Sequence, residues 1–346
     1  MKKEKIFLEA CNNKKTSRPP IWFMRQAGRY LPEYRELRTK YSFVEMIHNP
    51  DIVTQVTLQP LKRFNFDAAI LYSDILTVSD YFGIQFEFIE KKGPVLKQSH
   101  LSVAECVERF ESDLDITKLQ AVYTAITYLK QELKSTNIPL IGFAGSPFTV
   151  ACYIVEQTSS KTFSKVFNVI NSDPELFKRL LSALTKATIV HLKKQIDSGV
   201  EAIQIFDTWG SLLTGSMYQE YTLNSLKEII NALKDVNIPI ILYSKNSEHL
   251  MNDLCGLPIN VLGVDWNSSL PSIKQKYPHI ALQGNLNPNI LLTDKHQALA
   301  DTKAICKQMQ DQPGFVFNLG HGILPQTPID HVHCIVDYVK EFSFNN

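Results

Sequence analysis

The sequence is short of nearly every feature that would mark a specialised class. It carries almost no net charge: 36 Lys and Arg stand against 35 Asp and Glu, a formal +1. A nucleic-acid binder is expected to show a strong basic excess, so any anion binding has to come from local clusters. No apolar run approaches the ~18–20 residues of a membrane span. The basic start, Met1 to Lys5, is not followed by a signal-type apolar region, so no secretory signal is expected. The six cysteines (Cys11, Cys106, Cys152, Cys255, Cys306 and Cys334) are scattered, without a C-x-x-C. That suits a reducing, cytoplasmic setting and gives no disulfide framework. Low-complexity tracts and short repeats are missing too.

What is present is an ordinary globular composition, 44% hydrophobic and 21% charged over 346 residues. The chain is read as one domain, residues 1–346, since α/β barrels exceed ~250 residues as one unit. Short apolar runs recur along it, at Ile21–Met24, Ala68–Tyr72, Ile138–Phe143, Ala202–Phe206, Ile238–Tyr243, Ile259–Val264, Ile280–Gln283 and Phe315–Leu319. Runs of this length suit parallel strands covered on both sides. Helical patterns lie between them, including one opened by Asn49-Pro50-Asp51, one over 115–134, and a fresh start at Asp173-Pro174 within 161–197. Eight strands alternating with helices predict a (β/α)₈ barrel, with an open doubly wound sheet as the alternative. Residues 84–98 alternate around Gly93-Pro94 and predict a small hairpin insertion.

Each predicted strand ends in a polar or glycine-rich cluster. In a barrel those carboxyl ends share one mouth, where active sites sit. Arg25, Arg29, Asp74, Tyr153, Asp207, Thr208, Lys245, Asp265, Asn285 and His321 are therefore expected on that side. Arg25 and Arg29 flank a small Ala27-Gly28 pair, a plausible cradle for carboxylate or phosphate. Each residue also has a plainer reading: Asp74 as a helix cap, Tyr153 as core, Thr208 as a cap, and His321 as a link to a neighbouring loop. Asp207, Lys245 and Asp265 read as structural ion pairs at the rim. His331-Val332-His333-Cys334 looks like a metal cluster, but on a helix its one-apart spacing scatters the ligands, and no second ligand group follows at zinc spacing.

Three stretches resemble the uroporphyrinogen decarboxylase family. Arg18 to Arg38, containing R-P-P-I-W-F-M-R-Q-A-G-R-Y-L-P-E-Y, resembles its N-terminal signature. Ile141 to Glu156, I-G-F-A-G-S-P-F-T-V-A-C-Y-I-V-E, resembles its second, and Asn318 to Ile323, N-L-G-H-G-I, its C-terminal block. Tyr72 to Leu76 and Ile205 to Trp209 fit as well. The chain departs from the pattern at Ser146, at Gln157-Thr158, and in lacking a glycine after Lys245.

The resemblance implies a cofactor-free, metal-free, cytosolic barrel enzyme, usually a homodimer. It would remove the carboxyl groups of four acetate side chains of uroporphyrinogen III, giving coproporphyrinogen III for haem synthesis. The resemblance also implies that Arg25, Gln26, Ala27, Gly28, Arg29, Asp74, Tyr153, Thr208 and His321 meet the substrate. Asp74 would be the catalytic aspartate, with Arg25, Arg29, Tyr153 and His321 as further catalytic candidates. Such chemistry uses the pyrrole as its own electron sink. A ring carbon is protonated, the cationic ring draws electrons from the breaking C–C bond, and CO₂ leaves. A fixed carboxylate near the ring nitrogens would stabilise that charge. His321 and Tyr153 are acid–base candidates, an arginine relay is a third, and the residue types alone do not choose among them. Two rivals are a zinc-dependent methylcobamide methyltransferase of the same barrel family, which would carry a His-x-Cys site, and a non-catalytic porphyrin-binding protein.

Overall fold

Seven parallel strands run in the order in which they occur along the chain. The computed structural model describes residues 5–89 and 92–344. Within it the strands are β1 (Ala69–Ile70), β4 (Leu140–Gly145), β5 (Ala202–Asp207), β6 (Ile240–Ser244), β7 (Val261–Gly263), β8 (Ala281–Leu286) and β9 (Phe315–Leu319). An antiparallel hairpin, β2 (Phe86–Ile89) with β3 (Gly93–Leu96), falls where the 84–98 alternation predicts one. Glu90 and Lys91, which fall within that predicted stretch, lie outside the described residues, as do Met1 to Glu4 and Asn345-Asn346.

The predicted first strand, Ile21–Met24, shrinks to a single bridge. Ile21 pairs in parallel with Phe317, Phe317 N–H donates to Pro20 O at 2.9 Å, and Asp67 N–H donates to Ile21 O at 2.8 Å. This one residue joins β9 to the segment leading into β1, and the sheet closes as a (β/α)₈ barrel. The strand is short because the chain turns at once into the Met24–Gly28 loop, where Arg25 has φ 63°. Few non-glycine residues adopt that left-handed backbone.

Asp67 pins this closure. Its carboxylate takes two bonds from Arg18 (2.7 and 2.8 Å), one from Ile21 N–H (2.9 Å) and one from Lys340 (2.8 Å). Burial alone would raise its pKa, but the two cations outweigh that and hold it below the usual carboxylate range.

A second repair serves β4. Because β1 stops at Ile70, the backbone of Phe143 has no strand partner on that side. Gln195, on the helix Pro174–Ser198, takes both groups: Phe143 N–H donates to Oε1 at 2.9 Å and Nε2 donates to Phe143 O at 2.8 Å. A buried polar backbone group left unpaired would be costly. That helix begins where Asp173 caps it, accepting Leu176 N–H at 3.0 Å.

The barrel interior is not wholly apolar. Trp22 Nε1–H donates to Gln283 (3.0 Å) and Gln283 Nε2–H to Gln204 (3.1 Å), crossing from β8 to β5. This polar layer makes a floor beneath the mouth. Among the described residues no helix is long and apolar enough to cross a membrane. On the last helix, Ile329–Glu341, His331 Nδ1 bonds Leu291 O at 2.9 Å while the His333 ring packs at a tilt against Phe64.

Candidate active site

The mouth is assembled by stitching the first signature loop to the last. Asn318 Oδ1 accepts Met24 N–H at 3.0 Å, and Ile323 N–H donates to Met24 O at 2.9 Å. Arg25 then lies along Gly322, where an added Cβ would come within 2.4 Å of Arg25 Cδ. Glycine is needed there to leave room for the arginine stem. Gln26 is fully buried below the loop: its Nε2–H donates to Ala68 O (3.0 Å) and its Oε1 accepts Phe23 N–H (3.1 Å). Both ends of the amide are thus engaged in holding the loop. Ala27 and Gly28 are half-buried and Arg29 is exposed. Arg29 bears electrostatically on Tyr34, which bonds Tyr72 at 2.9 Å. Arg18, which opens the signature, is committed to Asp67 instead.

Asp74 follows β1, half-buried, with one oxygen accepting Leu76 N–H at 2.8 Å. Burial pushes its carboxyl from the usual 3.8 up to about 6, against that bond and Arg25, and with Asp80 adding to the rise. Arg25 is also felt by Tyr153, Tyr243 and His321, so it is the common neighbour of the group. Tyr153, on the helix Pro147–Glu156, has its phenol raised by burial and lies 6.4 Å from the Trp209 ring. Thr208 is half-buried beside Trp209. His321 is lowered to about 3 by burial and by the charges of Arg25 and Lys245, so its imidazole is neutral at physiological pH. The structure thus brings Arg25, Asp74, Tyr153, His321 and Lys245 into one electrostatic neighbourhood.

Among the described residues, Asp207, Lys245 and Asp265 form none of the expected rim ion pairs. Asp207 is fully buried and accepts Ser146 Oγ–H (2.6 Å) and Thr149 Oγ1–H (3.4 Å). Burial raises it to about 6. Lys245 stands over the Trp209 ring at 5.6 Å. Asp265 accepts the backbone N–H groups of Asn246 and Asn267. Hydroxyls at the start of the helix Pro147–Glu156, an aromatic face and backbone amides serve where countercharges were expected. Asn285 ties the β7 and β8 ends together through Asp265 O (2.9 Å) and Ser268 O (2.7 Å).

The three departures from the family pattern find local reasons. Ser146 caps its helix, accepting Thr149 N–H at 3.2 Å, while bonding Asp207. Gln157 and Asn246 stand at φ 63° and 52°. These are the left-handed positions glycine would occupy, and Asn tolerates them better than most residues. Gln157 is further held by Leu101 O at 2.7 Å. Two neighbours of the site, His48 and Asp80, carried no signal in the sequence reading: Asp80 lies on the turn Thr77–Phe82 just after Asp74, and His48 reaches it only when the helix Phe43–Ile47 packs there. Among the described residues no group of three or more His, Cys, Asp or Glu is placed to hold a metal ion.

Comparison with known proteins bears on this arrangement. The family described as "Uroporphyrinogen decarboxylase (URO-D)" matches residues 2–342. A relative from Protochlamydia amoebophila named "Uroporphyrinogen decarboxylase" is 39% identical, covering 96% of this chain and 91% of that one. One of the same name from Thermodesulfovibrio yellowstonii is 40% identical over 99% of each. Among solved structures, a "methyltransferase from Methanosarcina mazei" aligns with TM-score 0.78 over 98% of this chain and 99% of its own, at 17% identity. At that identity the likeness speaks for the barrel alone.

Proposed function

The chain belongs to the uroporphyrinogen decarboxylase family and decarboxylates uroporphyrinogen in haem biosynthesis, and from that premise we propose how its own residues divide the work. Asp74 is the central carboxylate. Half-buried beside Arg25, it faces the pyrrole nitrogens and stabilises the positive charge that develops when a ring carbon is protonated. The acetate C–C bond then breaks, its electron pair enters the cationic ring, and CO₂ departs. A second proton on the exocyclic carbon completes the methyl group, and the ring carbon gives up the first proton, which restores the pyrrole.

Arg25 and Arg29 hold substrate carboxylates, as forked donors suited to paired oxygens. Ala27, Gly28 and Thr208 line the approach, and Gln26 holds the loop from below. Tyr153, its phenol raised by burial, stands protonated in the resting site and can donate towards the substrate. His321, lowered to about 3, carries no imidazolium near neutral pH and serves as a neutral hydrogen-bonding group. That leaves Tyr153 or an arginine relay to pass the ring proton. We further propose that the chain works as one domain, as a homodimer in the cytoplasm, without nucleic acid.

The observation that carries this reading is Asp74 at the end of β1, raised to about 6 with Arg25 as its neighbouring cation. The test is anaerobic incubation with uroporphyrinogen III, oxidation, and chromatographic counting of carboxyls in the products. Four-carboxyl material is expected; unchanged eight-carboxyl material overturns the reading. Stoichiometric zinc in the purified protein would instead favour the methyltransferase.

A further inference from the structure

His48 ends the short helix Phe43–Ile47, and both its ring nitrogens face acceptors. Nδ1 lies 2.8 Å from Val44 O, and Nε2 lies 3.2 Å from Asp80 Oδ2. A neutral imidazole has one N–H and would turn a lone pair towards one of these oxygens. Only the imidazolium donates to both. The geometry therefore selects a cationic His48, and its pKa is raised, first by the Asp80 bond.

Asp80 is 9% exposed and sits on the turn Thr77–Phe82 that follows Asp74 directly. That turn is rigid: Leu76 N–H and Thr77 Oγ1–H both bond to Asp74, each at 2.8 Å. Asp74, Asp80 and His48 line one cleft, walled by Val44, Phe86 and Phe88. In such surroundings a second carboxylate disfavours ionisation of the first. Arg25 and Tyr153 face Asp74 from the other side, Tyr72 from its own segment, and Lys97 faces His48 from beyond the hairpin.

We propose that the His48–Asp80 ion pair is a positioning device for the catalytic carboxylate: the imidazolium cancels the Asp80 charge and so keeps Asp74 ionised for the cationic ring. This rests on the reading of Asp74 given above. Removing either member should move Asp74 in opposite directions. His48→Gln exposes Asp74 to an uncancelled Asp80, and its titration midpoint rises. Asp80→Asn leaves the His48 cation uncancelled near Asp74, and the midpoint falls. Shifts on the order of half a pH unit are expected from charges at this range.

The experiment is a carboxyl ¹³C NMR titration of aspartate-labelled protein without substrate, the Asp74 signal being assigned by its loss in Asp74→Asn. The acid limb of kcat/KM with uroporphyrinogen should move the same way in each variant. The double variant should titrate between the two single ones. Unmoved midpoints, or shifts of the same sign in both single variants, overturn the proposal, since general loosening would act alike in both. Opposed NMR shifts in a protein that does not turn over uroporphyrinogen would sustain the pair and overturn the functional reading instead.

Discussion

At the scale of the residue, the role proposed for Asp74 sets function against stability. Its carboxyl is raised from 3.8 to about 6 by burial, so between those values the folded chain binds more protons than the unfolded one. Stability therefore rises as pH falls through that window, and above it the charged form destabilises the fold by about 1–3 kcal/mol. Asp74→Asn removes the charge while keeping the shape. We expect an unchanged or higher Tm near neutral pH together with a loss of at least ~100-fold in kcat, since preorganised electrostatic groups carry effects of that size. In the unaltered enzyme kcat/KM should fall as pH drops through about 6. Thermal melts alongside initial rates would check this, and near-normal turnover by the variant would remove Asp74 from the chemistry. Single residues were also where the sequence misled. Asp207 reads as a rim ion-pair member, yet its partners are the hydroxyls of Ser146 and Thr149.

At the scale of the element, the informative piece is the strand that barely exists. The run Ile21–Met24 reads as a full strand, and the structure keeps one bridge at Ile21. A few backbone bonds close the barrel there, and side chains reinforce them, with Asp67 gathering Arg18, Lys340 and the Ile21 amide. Asp67→Ala leaves two partly buried cations unpaired, a change that costs about 3 kcal/mol in comparable settings. The expectation is a lower urea midpoint with little change in the dependence on urea. Because Asp67 is held below the usual carboxylate range, the stability it lends is present above about pH 4 and lost on further acidification. A variant as stable as the parent would show that backbone bonds alone close the barrel. The other seven strands were legible because runs of apolar residues that long have few alternatives once glycine and polar clusters bound them.

At the scale of the whole molecule, the site is a seam between the two ends of the barrel. Met24 bonds Asn318 and Ile323, almost three hundred residues away, and Arg25 occupies space left by Gly322. Gly322→Val should push the Arg25 side chain off the mouth. A several-fold rise in KM with kcat less affected, and unchanged far-UV circular dichroism, is the expected pattern. A fall in kcat with KM constant would mean instead that Arg25 acts mainly on the transition state.

The sequence by itself determined the barrel and its family, because recurring apolar runs and three signature stretches are local patterns written in consecutive residues. It also put Arg25, Asp74, Tyr153, Lys245 and His321 at segment ends expected to open on one side, and folding sets these five in one electrostatic neighbourhood. Tertiary structure alone decided their chemical states. Whether Asp74 titrates near 6, whether His321 stays neutral, and whether His48 stands charged beside Asp80 depend on burial and on charges brought close from distant segments. Those quantities follow from distance and desolvation, which exist only once the chain is folded.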